Sequence, residues 1–122
     1  MQHLPSALMK IILDTNFLLS NFNLFLELQR IVDEPYELYI LDKTIDELKN
    51  KKGESLAKNL IEKKDVRIIK TEKNKNVDNL LLDLADKEDF VVCTQDKDLK
   101  TQLKQKNIKI ITIRQKTHLV FE

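Results

Sequence analysis

The sequence predicts an α/β fold, a three-layer α/β/α sandwich around a mostly parallel, five-stranded sheet. Short apolar runs rich in Ile, Val and Leu recur along the chain, as expected for strands that are buried on both faces. Between these runs, apolar residues recur at intervals of three and four, which is the spacing of amphipathic helices. Because strands and helices alternate, we expect right-handed crossovers, parallel pairing and the strand order 3-2-1-4-5.

Five apolar runs predict the strands. The first run ends abruptly at Asp14, and the second follows Pro35, which stops the preceding helix. The predicted strands are residues 10–13, 36–41, 66–69, 90–93 and 108–113. Val120 and Phe121 are predicted to add an edge segment.

The helices are predicted from the segments between the strands. Residues 17–32 carry an apolar stripe, with Asn21 and Asn23 as a break that would divide the segment into two helices. Residues 44–60 are interrupted at 49–53, which predicts two helices around a lysine-rich turn. Further helices are predicted at 77–86 and after Asp96, and the wholly polar segment 71–76 is predicted to be a loop.

The composition is typical of one compact domain in a reducing compartment. The chain has 122 residues, of which 42% are hydrophobic, so we expect a single domain over residues 1–122 with a short N-terminal tail at 1–8. Cys93 stands alone and cannot form an internal disulfide. No apolar run approaches the length of a membrane span and no signal peptide is evident, so we expect a cytoplasmic protein without membrane contacts.

The net charge and the glycine content limit which sites the chain can form. The net charge of +1 gives no overall basic field for nucleic acid, so any electrostatic attraction has to be local. The single glycine, Gly53, excludes both the glycine-rich dinucleotide fingerprint and the phosphate-binding P-loop.

Four acidic residues are predicted to meet at one edge of the sheet. In open parallel sheets, ligands bind beyond the carboxyl ends of the strands, where the strand order reverses. Asp14 follows the first strand and Asp96 follows the fourth, and these strands are neighbours in the predicted order. Glu47 lies after the second strand, and Asp78 opens the helix after the third. Clustered carboxylates require protonation or a cation, and an all-oxygen site suits Mg²⁺ or Mn²⁺.

Each acid also has a purely structural interpretation. Asp14, Asp78 and Asp96 stand where helix N-caps are expected, and a carboxylate at a helix N-terminus stabilises it by roughly 0.3–1 kcal/mol. Glu47 fits the exposed face of its helix. These structural roles explain each residue singly, whereas the predicted meeting of all four at one edge of the sheet favours a metal site.

Four motifs together resemble those of PIN-domain nucleases. These motifs are Asp14-Thr15-Asn16, Asp46-Glu47-Leu48, Val77-Asp78-Asn79-Leu80 and Thr94-Gln95-Asp96-Lys97-Asp98-Leu99. Their order and spacing agree with the family over nearly all the chain from Met9. The sequence looks most like archaeal PIN proteins related to the nucleases of pre-ribosomal RNA processing, and its ending Ile113-Arg114-Gln115-Lys116 agrees with this. The VapC toxins look like more distant relatives.

The resemblance implies metal-dependent cleavage of single-stranded or structured RNA. The implied catalytic and metal-binding acids are Asp14, Glu47, Asp78 and Asp96. Asp98 is implied as a further metal ligand, and Asn16 matches the family's polar position beside the first acid. Asn79 stands where many relatives have a second acid, so the number of ions, one or two, stays open. A metal-activated water would make His3 and His118 unnecessary for acid or base catalysis.

Several polar and basic residues are candidate contacts for RNA. Thr15 and Thr94 lie at strand ends, Lys97 lies after the fourth strand, and Arg114 lies beyond the fifth. Further lysines gather on the turn after the second strand and on the last helix: Lys49, Lys51, Lys52, Lys58, Lys100 and Lys104. The alternative is that these lysines form only the solvated faces of their helices.

Two other folds that place acids at strand ends do not fit these residues. A receiver domain needs a phosphoacceptor acid after the third strand, where Lys70 and Thr71 stand, and a haloacid-type phosphatase needs an acid at Asn16. Two alternatives stay open: a VapC-like toxin with an antitoxin partner, and a non-catalytic RNA-binding module acting with ribosome-assembly factors. A homodimer is also left open.

Overall fold

The computed structural model describes residues 8–20, 23–71 and 76–122. The described residues form six strands and six helices, with one or two helices between successive strands up to β5 and none between β5 and β6. In chain order these are β1 (Met9–Leu13), α1 (Thr15–Leu18), α2 (Leu24–Ile31), β2 (Tyr36–Leu41), α3 (Asp42–Leu48), α4 (Glu54–Lys63), β3 (Arg67–Ile69), α5 (Val77–Lys87), β4 (Phe90–Cys93), α6 (Lys97–Gln105), β5 (Ile110–Arg114) and β6 (His118–Phe121).

The sheet has the order β3-β2-β1-β4-β5-β6. The first five strands pair in parallel, and β6 pairs antiparallel with β5. The predicted order of five strands is therefore confirmed, and the predicted strand count is corrected to six. Between β1 and β4 the chain reverses its direction of progress across the sheet, which is the place where open α/β sheets bind ligands.

The sixth strand extends the edge segment predicted at Val120 and Phe121. It follows a tight turn in which Gln115 and Lys116 both have positive φ, 55° and 59°. Such turns between strands usually contain Asn or Gly, which tolerate positive φ. Because neither residue type stands at these two positions, no local pattern predicts this hairpin.

The α2 helix fixes β6 in place. Glu27 Oε1 accepts a hydrogen bond from the Leu119 backbone N–H at 3.2 Å, and Arg30 Nη2 donates to the Leu119 carbonyl at 3.1 Å. The two side chains also form an ion pair at 2.8 Å. The short edge strand is therefore held by side chains of a neighbouring layer as well as by β5.

Two helical layers cover the sheet, which confirms the predicted sandwich. Ile11 and Leu13 of β1 face one layer, Ile12 between them faces the other, and all three are fully buried. The first layer packs Phe17, Phe25, Leu48 and Ala57 of α1 to α4 against the sheet, and the second packs Leu81 and Leu99 of α5 and α6. The second half of β1, residues 11–13, is therefore apolar and fully buried, and the next side chain along the chain is the carboxylate of Asp14.

The helix boundaries agree with the predicted breaks where they are described. The segment predicted at 17–32 forms α1 and α2, and the segment at 44–60 forms α3 and α4 around residues 49–53. Three predicted features lie outside the described residues: the tail at 1–8 apart from Leu8, which includes His3, the break at Asn21, and most of the 71–76 loop. Within the described ranges, no helix has both the length and the apolarity to cross a membrane.

The N-cap of α5 is Asn76, which corrects the capping role considered for Asp78. The Asn76 side chain accepts a hydrogen bond from the Asn79 backbone N–H at 2.9 Å. Asp78 instead lies within the first turn of the helix, and its side chain makes no cap there. Capping therefore does not explain why an acid stands at position 78.

We expect Asn76→Ala to lower the free energy of unfolding by about 1 kcal/mol, because one N–H at the start of α5 loses its partner. Asn76→Asp keeps a capping oxygen and should cost much less. Urea denaturation of the three proteins measures the difference through the midpoint at unchanged slope. Equal midpoints for the alanine variant and the parent would contradict the assigned cap.

Candidate functional site

A cleft of about 260 Å³ lies at the carboxyl ends of the parallel strands, at the switch point between β1 and β4. We call it the acidic cleft; its lining residues are Asp14, Thr15, Asn16, Glu47, Lys51, Val77, Asp78 and Asp96. The four carboxylates in this set, the cleft acids, are the four that the sequence predicted to share one edge. They come from four separate segments of the chain, so the fold and not local sequence brings them together.

Two larger surface pockets, of about 450 Å³ and about 410 Å³, lie at the opposite edge of the sheet. They adjoin Met9 and Lys109, at or just before the beginnings of strands. Acidic and basic side chains are mixed around the first of them, including Asp86, Asp89 and Lys106. In parallel sheets, ligand chemistry belongs to the carboxyl edge, so the smaller acidic cleft is the candidate site.

Asp14 is the most buried of the cleft acids, with 7% of its surface exposed. Its Oδ1 accepts a hydrogen bond from the Thr15 N–H at 2.8 Å, and its Oδ2 accepts one from the Thr94 hydroxyl at 2.8 Å. Burial raises the pKa of this carboxyl above its usual value; the two hydrogen bonds oppose the rise, and the nearby Asp78 and Glu47 add to it. The site therefore disfavours the ionised form of Asp14 unless a cation is close.

Thr94 is hydrogen-bonded to two of the cleft acids. It is fully buried, its hydroxyl donates to Asp14, and the same oxygen accepts a hydrogen bond from the Asp96 N–H at 3.1 Å. Asp96 in turn caps α6 through the Leu99 N–H at 3.0 Å. The sequence suggested that Thr94 contacts RNA, but its hydroxyl is occupied with the acids and has no exposed surface, so its place is that of a positioning residue.

Glu47 is held by the opposite wall of the cleft. The Thr15 hydroxyl donates to Glu47 Oε1 at 2.5 Å and lies 3.2 Å from the hydroxyl of Thr44, which is fully buried. Thr15 therefore orients an acid on α3 as well as lining the cleft. Thr44 was not recognised from the sequence, where a threonine early in a predicted helix carries no distinguishing signal.

Asp78 on α5 is half-buried and faces the other acids. Burial raises the pKa of its carboxyl, and the negative charges of Asp96, Glu47 and Asp98 raise it further. These carboxylates are therefore close enough for the negative charge of one to raise the pKa of another. The arrangement is destabilising in itself, which is a reason to expect a cation in the cleft.

The remaining predicted site residues lie at or beyond the rim. Asn16 is exposed and lines the cleft. Asp98 and Lys97 are exposed in the first turn of α6 and do not line the cleft, although Asp98 is close enough to act on the pKa of Asp78. Arg114 ends β5, where it pairs with His118 of β6, and it too lies outside the cleft lining.

The donor set suits a hard divalent cation by its chemistry. The cleft acids and the side-chain carbonyl of Asn16 offer oxygen ligands, and the described cleft lining contains no thiolate or imidazole. Among the described residues, no three acidic, His or Cys side chains converge closely enough to enclose an ion by themselves. Mg²⁺ commonly keeps several of its waters and binds through one or two carboxylates, so the residues present fit such an ion.

The chain resembles known proteins in sequence and in fold. The family model described as a PIN like domain matches residues 11–116. Ribonuclease VapC4 of Methanocaldococcus jannaschii is 31% identical, and the match covers 89% of this chain and 93% of that protein. The solved structure of the PIN domain endonuclease Utp24 matches with a TM-score of 0.80 at 21% identity, over 93% of this chain and 90% of the other. The family match spans all four cleft acids.

Proposed function

The chain belongs to the PIN-like domain family, and on that basis we propose that it is an endoribonuclease that cleaves RNA with the help of Mg²⁺ or Mn²⁺. One observation carries the proposal: four acids from separate segments meet in one cleft at the switch point of the sheet. The ribonuclease activity named for the relative VapC4 supports it. The comparison with Utp24 supports the fold.

One or two of the cleft acids would hold the cation directly and the others through its waters, with Asp98 as an outer carboxylate. A divalent ion bound there supplies an activated water and stabilises the charge that develops on the phosphate. The chain's own contribution is orientation. Thr94 fixes Asp14 relative to the start of α6, and Thr15 fixes Glu47. Asn16 and Lys51 lie at the front of the cleft, where an RNA strand would pass.

The proposal is tested with pure protein and a labelled RNA that contains both single-stranded and paired regions, beside DNA of the same sequence. We expect cleavage of RNA in Mn²⁺ and none in chelator. Because the described cleft lining includes no histidine, we expect attack by water and products without a 2′,3′-cyclic phosphate. Metal-independent products that end in a cyclic phosphate would contradict the assignment.

We expect Thr94→Val to lower kcat by roughly 10- to 100-fold, because supporting residues around metal ligands contribute on this scale. Valine keeps the shape but leaves Asp14 Oδ2 and the Asp96 N–H without their partner. Thr94→Ser keeps the hydroxyl and is the matched control. Steady-state kinetics should show the loss in kcat with little change in KM, and its recovery in the serine variant. A serine variant as impaired as the valine variant would indicate lost packing instead.

For the biological substrate, we propose a structured ribosomal RNA precursor, in the cytoplasm, on the strength of the sequence resemblance to PIN proteins of pre-ribosomal RNA processing. The 31% identity to Ribonuclease VapC4 favours a second candidate, a toxin restrained by an antitoxin. Inducible expression in a bacterial host separates the two. Rapid growth arrest that needs the cleft acids favours the toxin, whereas normal growth together with in vitro cutting of precursor RNA favours processing.

A further inference from the structure

Lys51 is the one cation among the described residues that line the acidic cleft. Two neighbouring lysines are engaged elsewhere: Lys49 forms an ion pair with Asp46 at 3.6 Å, and Lys58 forms one with Glu54 at 2.9 Å. Lys51 forms no ion pair with a described residue, although it shares its cleft with four carboxylates. The lysine cluster that looked uniform in sequence is therefore divided by the fold, and one member faces the site.

The backbone of Lys51 is fixed by the turn between α3 and α4. Its N–H donates to the Leu48 carbonyl at 3.1 Å, and its own carbonyl accepts from the Glu54 N–H at 3.1 Å. Positive φ values at Asn50, 62°, and Gly53, 92°, allow the chain to turn this tightly. Lys51 thus projects its side chain from a defined point on the rim.

The charge of the cleft creates a need for such a residue. A phosphodiester carries one negative charge, and the cleft acids repel it before any bond to the site is made. A lysine ammonium has three N–H donors and no acceptor, and phosphate oxygens are common partners for it. A lysine on the rim of an acidic site that forms no ion pair with the described acids can attract the strand while leaving those acids free to hold the cation.

We propose that Lys51 binds a backbone phosphate of the RNA strand as it enters the acidic cleft, and that this contact strengthens substrate binding rather than the chemical step. The proposal rests on the proposed function, because it takes the bound strand to be the nuclease substrate. A phosphate contact carries no base information, so its effect should be the same for every RNA sequence.

The test compares Lys51→Met with Lys52→Met, which makes the same charge change at the next position. Lys52 is exposed and lies outside the cleft lining. With a single-stranded RNA oligonucleotide in Mn²⁺ at low salt, we expect Lys51→Met to raise KM roughly fivefold or more, with kcat within about twofold of the parent. The salt dependence of RNA affinity should weaken by about 0.7 in its logarithmic slope, the share of one phosphate contact to a single strand. Lys51→Arg should restore most of the affinity.

Lys52→Met should change KM less than about twofold, because a lysine outside the cleft attracts RNA only through the long-range, salt-screened electrostatic field of the protein. Equal KM values for the two methionine variants would overturn the role of Lys51 while leaving the nuclease assignment intact. A fall in kcat at unchanged KM would overturn it as well, since the contact would then belong to the chemical step. A parent protein that neither binds nor cuts RNA would overturn both proposals, so the two failures are distinguishable.

Discussion

The Asp14→Asn variant is expected to lose metal-dependent RNA cleavage by more than about 100-fold and to keep its fold. Asp14 is buried at the switch point and stands within electrostatic reach of Asp78 and Glu47. Asparagine has nearly the same shape and can still accept the hydrogen bond from the Thr15 N–H, but it removes the negative charge. Initial rates with a labelled RNA in Mn²⁺ measure the effect.

The matched control for this variant is Asp46→Asn. Asp46 lies on α3 beside Glu47, but its side chain is 72% exposed, pairs with Lys49 and does not line the cleft. We expect its cleavage rate to stay within about twofold of the parent. Because burial raises the pKa of Asp14, its ionised form is disfavoured in the folded protein, so the metal-free Asp14→Asn variant should be as stable as the parent or more so. A folded Asp14→Asn variant with parental activity would contradict the site.

Mn²⁺ is expected to raise the melting temperature substantially. A ligand present at 100 times its Kd stabilises the folded state by about 2.7 kcal/mol, which corresponds to about 10 °C for a domain of this size. Thermal unfolding with and without Mn²⁺ measures the shift, and Asp14→Asn should lose most of it. No shift of the parent at millimolar Mn²⁺ would indicate a protein that works without a cation in this cleft.

The shift should also depend on pH in a defined direction. A carboxylate must be ionised to bind a metal ion, and the pKa values of Asp14 and Asp78 are raised above the usual 3.8, in both cases chiefly by burial. Without metal, the contribution of these two groups to stability is greatest below pH 3.8 and is lost as pH rises through their raised pKa values. With Mn²⁺, the stabilisation should therefore be largest at neutral pH and should shrink as pH falls toward those values.

The strand order and the acidic edge could be predicted because the sequence changes sharply from apolar to polar residues where strands end. The first strand ends in the apolar run at residues 11–13 directly before Asp14, and the fourth strand is apolar up to Thr94. A stretch of strand that is buried on both faces disfavours charge, so the first polar residue after such a stretch marks the end of the strand and hence the carboxyl edge. The parallel topology then brings these ends together.

The rest depended on geometry that no local pattern carries. The final hairpin turns at Gln115 and Lys116, residues that rarely signal positive φ. The sequence places Thr94 at a strand end, where its hydroxyl could contact RNA. Only the fold shows that this hydroxyl is enclosed between two acids. Lys51 could not be separated from Lys52 in sequence, because a shift of one residue on a tight turn decides which side chain reaches the cleft.

The most direct measurement of the central claim is cleavage of one labelled, structured RNA by the parent protein and by Asp96→Asn, each in Mn²⁺, in Mg²⁺ and in chelator. The account predicts cutting by the parent in either metal, and loss of cutting both in chelator and in the variant. Cutting that persists in chelator, or that is unchanged in Asp96→Asn, would contradict it. Tight RNA binding without any cutting would contradict it too, and would instead favour an RNA-binding assembly factor.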